Sequence, residues 1–316
     1  MNDPNHQLDL LRKVRLALKN HQYQNAITYL QETVQLAHTS GDFGAEGRHL
    51  GNLALIYYRL NQPERALDYF QKALRCARLD NDRATEGGLM GNIGNILREL
   101  VHYEKATEYL QGALMIAHEI GDRRGMGIWL GNLGLLYDDM KQVQDAIQFH
   151  SQSVEIAREF NDKRGLATRL GNLANSHMTA GELMFAFNYL KEATDLFREL
   201  GEQADLTLRL TMMGNIQMDL GKLANTPKQA RKHFAEALDL YTQTLRLARM
   251  VQDTTTEAQL LSNIGRIYLA LEQYDRAVEY FYSASQLYNT LGMEAEYRQC
   301  VSQIEQGMKL IHNDTI

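Results

Sequence analysis

Prolines, cysteines and long apolar runs are scarce in this chain, and each scarcity removes a class of protein. Three prolines among 316 residues leave long stretches free to coil, because proline inside a helix removes an amide donor and clashes with the preceding turn. The two cysteines, Cys76 and Cys300, lie far apart in different helical patterns, which argues against a disulfide and for a reducing, cytoplasmic setting. No apolar run approaches the roughly 18 residues that span a bilayer, so no membrane partner is expected. Met1-Asn2-Asp3-Pro4-Asn5-His6 lacks the basic-then-apolar order of a secretory signal. Basic charge is scarce too: 33 Lys and Arg stand against 39 Asp and Glu, a net charge of −6. No basic stripe is offered to nucleic acid, which is excluded as a general partner.

What the chain has in abundance is repetition. Leu50-Gly51-Asn52-Leu53-Ala54 returns as Met90-Gly91-Asn92-Ile93-Gly94, Leu130-Gly131-Asn132-Leu133-Gly134 and Leu170-Gly171-Asn172-Leu173-Ala174. The glycines fall at 51, 91, 131 and 171, and a fixed period of this size marks an array in which each unit stacks on its neighbours. One domain over 1–316 is therefore expected. A degenerate hairpin at 7–40 is spaced by Leu8, Leu11, Val14 and Leu18, then by Ala26, Ile27, Leu30 and Val34. Regular units follow at 41–80, 81–120, 121–160 and 161–200, then an irregular one at 201–251, a restored one at 252–291, and a capping helix at 292–311.

Each boundary carries the same punctuation: Gly41-Asp42, Asn81-Asp82, Gly121-Asp122, Asn161-Asp162 and Gly201-Glu202. Gly or Asn tolerates positive φ after a helix end, and the acid that follows accepts amide hydrogen bonds at the next helix start. Inside the first regular unit, Leu50, Leu53, Ala54 and Tyr57 give an i, i+3, i+4, i+7 stripe. Pro63 suits the first turn of the second helix, whose apolar face is Ala66, Phe70, Ala73 and Leu74. The irregular unit holds eleven extra residues, since Ala237 falls 51 rather than 40 after Ala186. They lie near 221–231, with Thr226-Pro227 reading as a helix start. The insertion is either a tolerated surface elaboration or a projecting edge through which the chain self-associates or meets a partner.

Small Gly94, Gly134 or Gly265, aromatic Tyr57, Tyr137 or Tyr268, and the recurring Ala and aromatic sites of the second helices make a pattern that resembles the tetratricopeptide repeat. With forty residues to the unit it resembles the longer repeats of kinesin light chain and the LGN/Pins polarity adaptors. The resemblance covers about 7–310. It implies an all-α fold, a right-handed α-solenoid of helical hairpins with a C-terminal capping helix, whose first helices line a concave wall.

No catalytic constellation stands out, and no enzyme is expected. The ten histidines form no HExxH motif or Cys/His cluster, so neither metal nor cofactor is expected. His150 occupies a site filled by Phe, Tyr or Leu in other units and reads as packing. Carried over to this chain, the concave wall presents Arg48 and Asn52, then Asn92, Asn95 and Glu99, then Asn132, Leu135 and Asp139. Asn172 and Asn175, then Asn215 and Asp219, then Asn263 continue it, bordered by Tyr58, Arg98, Asp138, Met178 and Met218. An Asn carboxamide both donates and accepts, so a column of them fits a peptide backbone. The same column could instead bridge adjacent first helices. The in-helix glycines at 51, 91, 131 and 171 each cost about 1 kcal/mol against Ala, which suggests close approach by a neighbouring helix or a ligand main chain.

These readings converge on a non-catalytic adaptor. Its partner is another protein, bound through an extended or helical segment with apolar anchors and some basic residues. The alternatives are a regulator that senses a peptide, although this chain leaves little room for the effector domain such regulators carry, and a structural subunit that assembles through its convex face.

Overall fold

Low proline content and capped twenty-residue segments leave the backbone one economical solution, the α-helix, and every regular element among the described residues of the computed structural model, 4–314, is one. The first eight are α1 (Pro4–Lys19), α2 (Tyr23–Ser40), α3 (Phe43–Arg59), α4 (Pro63–Leu79), α5 (Arg83–Glu99), α6 (Tyr103–Glu119), α7 (Arg123–Asp139) and α8 (Val143–Arg158). The remainder are α9 (Lys163–Thr179), α10 (Leu183–Leu200), α11 (Gln203–Leu223), α12 (Pro227–Met250), α13 (Thr254–Ala270), α14 (Tyr274–Thr290) and α15 (Glu294–Asp314). α1 to α14 pair in order as antiparallel hairpins and α15 packs on α14; packing gathers them into two compact units, Met1–Asn161 and Asp162–Ile316.

The ends behave as the punctuation predicts. Asp42, Asp82, Asp122 and Asp162 each accept a hydrogen bond from the backbone amide three residues on, at 2.8 to 3.0 Å. Glu202, one methylene longer, makes no such cap. Gly41, Asn81, Gly121 and Gly201 have positive φ, but Asn161 does not. There α8 stops at Arg158, one residue short of its counterparts, and the longer link no longer needs a left-handed residue. Left-handed residues also close the turns inside the hairpins, at His21, Asn61, Val101, Lys141 and Gly181.

Four hairpins are locked by a large side chain of the second helix seated on a glycine of the first. In the first unit Leu110 fills the space a Cβ would occupy at Gly94, and His150 does the same at Gly134. In the second unit Tyr241 covers Gly214 and Phe281 covers Gly265. The alanines one turn earlier, at 66, 106, 146, 186, 237 and 277, are fully buried. Small against large lets the two helix axes approach while leaving no void.

One expectation is corrected. In α1 the buried stripe is Leu10, Val14 and Ala17, whereas Leu8 and Leu11 are exposed; both stripes satisfy helical spacing, and contact with α2 selects the first. The second helix of the irregular unit starts early, as Thr226-Pro227 predicts, and the insertion lengthens the first helix as well. α11 has 21 residues and α12 has 24, where most others have 17. Thr226 caps α12, its hydroxyl accepting from the Gln229 amide at 3.3 Å, with Pro227 in the first turn. The added turns pack on each other, with the Phe234 ring against Gly221.

Candidate partner-binding face

The first helices of the first unit, α3, α5 and α7, present their polar stripes side by side. Arg48 and Asn52 are exposed on α3, and Asn92, Asn95 and Asn132 are half-buried on α5 and α7. Direct bonds tie neighbouring first helices together. The Tyr58 hydroxyl donates to Glu99 Oε1 at 2.6 Å, and Arg98 Nη1 donates to Asp139 Oδ2 at 3.2 Å. Asp138 turns the other way, its Oδ2 lying 3.1 Å from Nε2 of the fully buried His150. Glu99, Asp139 and Asp138 are therefore each matched to a partner within the unit. His150 packs as expected and also positions Asp138.

Between α3, α5 and α7 lies a recess of about 190 Å³. Asn92, Asn95 and Asn132 converge on it with Tyr58, Arg98 and Glu99, over apolar Leu55, Phe70 and Ile96. Leu55 and Tyr58 remain open to solvent at 45% and 42%. The carboxamides of Asn52, Asn92, Asn95 and Asn132 make no hydrogen bond among the described residues. The bridges between helices fall to Tyr58 and Arg98, one helical turn further on.

In the second unit Asn172 and Asn263 are half-buried and Asn175 is exposed, again with uncommitted carboxamides among the described residues. Asn215 differs: its Oδ1 accepts from the buried Tyr241 hydroxyl at 2.6 Å. Burial pushes the Tyr241 phenol well above its ordinary range, so it stays a donor. Met178 is half-buried at the border. Met218 is a correction: at 7% exposure it belongs to the core around Phe234, because the extra turns of α12 cover it.

The in-helix glycines have two kinds of neighbour. In the first unit the Trp129 indole of α7 lies against Gly91 of α5, where any side chain would collide with it. In the second, the Arg209 guanidinium of α11 lies against Gly171 of α9, with Cζ only 2.6 Å from where a Cβ would stand. Gly131 faces Ser153 of its own hairpin, whose hydroxyl donates to Gly127 O at 2.6 Å. Gly51 is nearly open, with Leu89 Cδ2 at 3.9 Å. Neighbouring helices thus approach closely at Gly91 and Gly171. No group of three metal-ligating side chains occurs among the described residues.

Helical hairpins of constant design, joined by left-handed turns and locked small-to-large, agree with the family comparison. A profile described as tetratricopeptide repeat matches residues 8–78, 86–159 and 218–290. The chain belongs to the tetratricopeptide-repeat family. A shorter stretch, 168–220, matches a profile described as anaphase-promoting complex subunit 5. No curated protein matches the sequence.

Among solved structures, BtubC (BKLC) from P. vanneervenii is similar at 17% identity and a TM-score of 0.61, over 77% of this chain and 92% of that one. The apo form of RapI gives 13% and 0.61 over 97% and 99%. A Rap protein complexed with competence and sporulation factor gives 12% and 0.54 over 98% and 97%. At these identities the likeness is one of fold. Nothing in the helices of this tetratricopeptide-repeat chain is long and apolar enough to cross a membrane, among the described residues.

Sequence reasoning missed Trp129, Arg209 and the role of Phe70 in the recess. The signal for the first two was present: each lies 38 residues after a repeat glycine, so a large residue there pairs with a missing side chain one unit earlier.

Proposed function

We propose that this chain is a non-catalytic interaction module that holds a segment of another protein against its first helices, in the first unit at the recess between α3, α5 and α7. The observation that carries this reading is the set of half-buried Asn92, Asn95 and Asn132 carboxamides that line the recess with no hydrogen-bond partner among the described residues. A structural ladder would spend its amides on the neighbouring helix. Here Tyr58–Glu99 and Arg98–Asp139 make those links and leave donor and acceptor pairs free for a main chain. The recess suits one apolar side chain, set over Leu55, Phe70 and Ile96. The partner segment is accordingly apolar at one anchor, with its main chain beside the asparagines.

The test is a peptide-display selection on the whole chain, followed by titration of the selected peptide. Asn92→Ala with Asn132→Ala should weaken binding at least about tenfold, the ~1.4 kcal/mol of one good polar contact, at an unchanged melting temperature. Affinity unchanged in that variant removes this face from consideration.

A second reading, a regulator that closes around a signalling ligand, draws support from the likeness to the Rap protein complexed with competence and sporulation factor. It differs in its readout: small-angle scattering should then show compaction on adding the selected peptide, whereas an adaptor keeps its dimensions.

A further inference from the structure

A second cavity of the first unit lies on the other side of α3. Its walls are the second helices α2 and α4, and it measures about 510 Å³. It meets α3 along Glu46, Leu50 and Leu53, which 3.6-residue periodicity sets opposite Asn52 and Leu55. This volume falls within the roughly 300–1,000 Å³ of small-molecule sites, whereas the 190 Å³ recess does not.

The next stack shows why the cavity exists. Between α4 and α6, Met90 stands where α3 has Leu50, and Gly112 stands where α4 has Lys72. The Met90 methyl lies over Gly112, in the space its side chain would take. Between α2 and α4 the shorter Leu50 leaves that space open, and the Lys72 ammonium is drawn to Asp68, 2.6 Å away. The floor is apolar: Val34, Leu50, Leu53 and Cys76. Burial pushes the Cys76 thiol up, so it remains a neutral lining group.

The mouth is polar and unevenly committed. His38 is bonded to Glu46 at 3.1 Å. Arg75 on α4 makes neither hydrogen bond nor ion pair among the described residues, and the Gln31 and Gln35 carboxamides on α2 are likewise unengaged. One free guanidinium and two free amides therefore stand over an apolar floor. A guanidinium binds a carboxylate through two parallel charge-assisted bonds, and an alkyl chain is favoured by each methylene it buries.

We propose that this cavity binds a small amphipathic carboxylate, a medium-chain fatty acid, with its head on Arg75 and its tail on Leu50 and Leu53. The site is independent of the partner-binding face.

Titration calorimetry on the full chain, with decanoate and decanol below their aggregation concentrations, tests it. Wild type should bind decanoate saturably at one site, about tenfold tighter than decanol. Arg75→Gln, an exposed change, should remove that preference while leaving decanol binding as it was. Leu50→Met with Lys72→Gly, which copies the filled packing of the next stack, should abolish both. No saturable decanoate binding, or equal affinity for acid and alcohol, overturns the proposal, as does binding that survives the filled variant. If the filled variant fails to fold, Arg75→Gln alone decides: an unchanged preference for the acid overturns the assignment.

Discussion

The Trp129 indole occupies the space of the side chain that Gly91 lacks. The two residues lie on successive first helices of one unit, and the missing methyl admits the ring. An in-helix glycine, unfavourable by itself, is thereby tied to a specific large neighbour.

Gly91→Ala should therefore lower stability by about 2 kcal/mol, as overpacking does. Gly51→Ala should raise it by about 1 kcal/mol through helix propensity, since only Leu89 Cδ2, at 3.9 Å, faces that site. Urea melts of the two variants decide, and shifts of the same sign would refute the pairing. Trp129→Leu, the residue type found at Leu89, should restore stability to Gly91→Ala.

Val101 closes the α5–α6 turn at φ 63°, a region costly for a β-branched residue, where the α9–α10 turn uses Gly181. The side chain is 64% exposed, so little packing offsets the strain. Val101→Gly should raise the melting temperature, by the equivalent of about 1 kcal/mol. A fall would mean that the side chain has a packing role.

His49 is buried with Nδ1 unpartnered. Burial, then the nearby Arg48 charge, hold its imidazole below the ordinary value of 6.5. The unfolded chain therefore binds a proton that the folded chain refuses. The His49 contribution is intact above that value and is lost as pH falls through it toward the lower folded pKa. Between about pH 7.5 and about pH 5.5 the wild type should lose more stability than His49→Leu, which copies Leu89 of the next unit. Parallel melting curves in that window would rule out His49 as a source of the pH dependence.

Asn215 and Asn132 occupy related faces with opposite commitments. Asn215→Ala strands the buried Tyr241 hydroxyl and should cost roughly 1–3 kcal/mol. Asn132→Ala breaks no hydrogen bond and should cost little. Calorimetric melting of the two variants compares them directly, and equal losses would show that the Asn132 amide is structural after all.

Spacing leaves the asparagines as candidates for stapling adjacent first helices, yet Tyr58 and Arg98 carry those bonds. A helical wheel ranks positions by angle and so sets both residues at the border of the face. Which polar side chain reaches the neighbouring helix depends on its length, and Tyr and Arg reach where Asn does not.

The sequence by itself determined the period, the helical hairpins, the Asp caps, the start of α12 at Thr226-Pro227 and the faces on which the asparagines stand. These are local matters, set by φ/ψ preference, amide bookkeeping and 3.6-residue spacing within one segment. Only the tertiary structure decided that Leu10 rather than Leu8 is buried, that Met218 belongs to the core, that Asn215 serves Tyr241, and that Trp129 and Arg209 fill the glycine gaps. Each of these depends on the shape of a side chain on another helix. Periodicity names the side of a helix that faces inward, and the partner across the gap settles which atom on that side is covered.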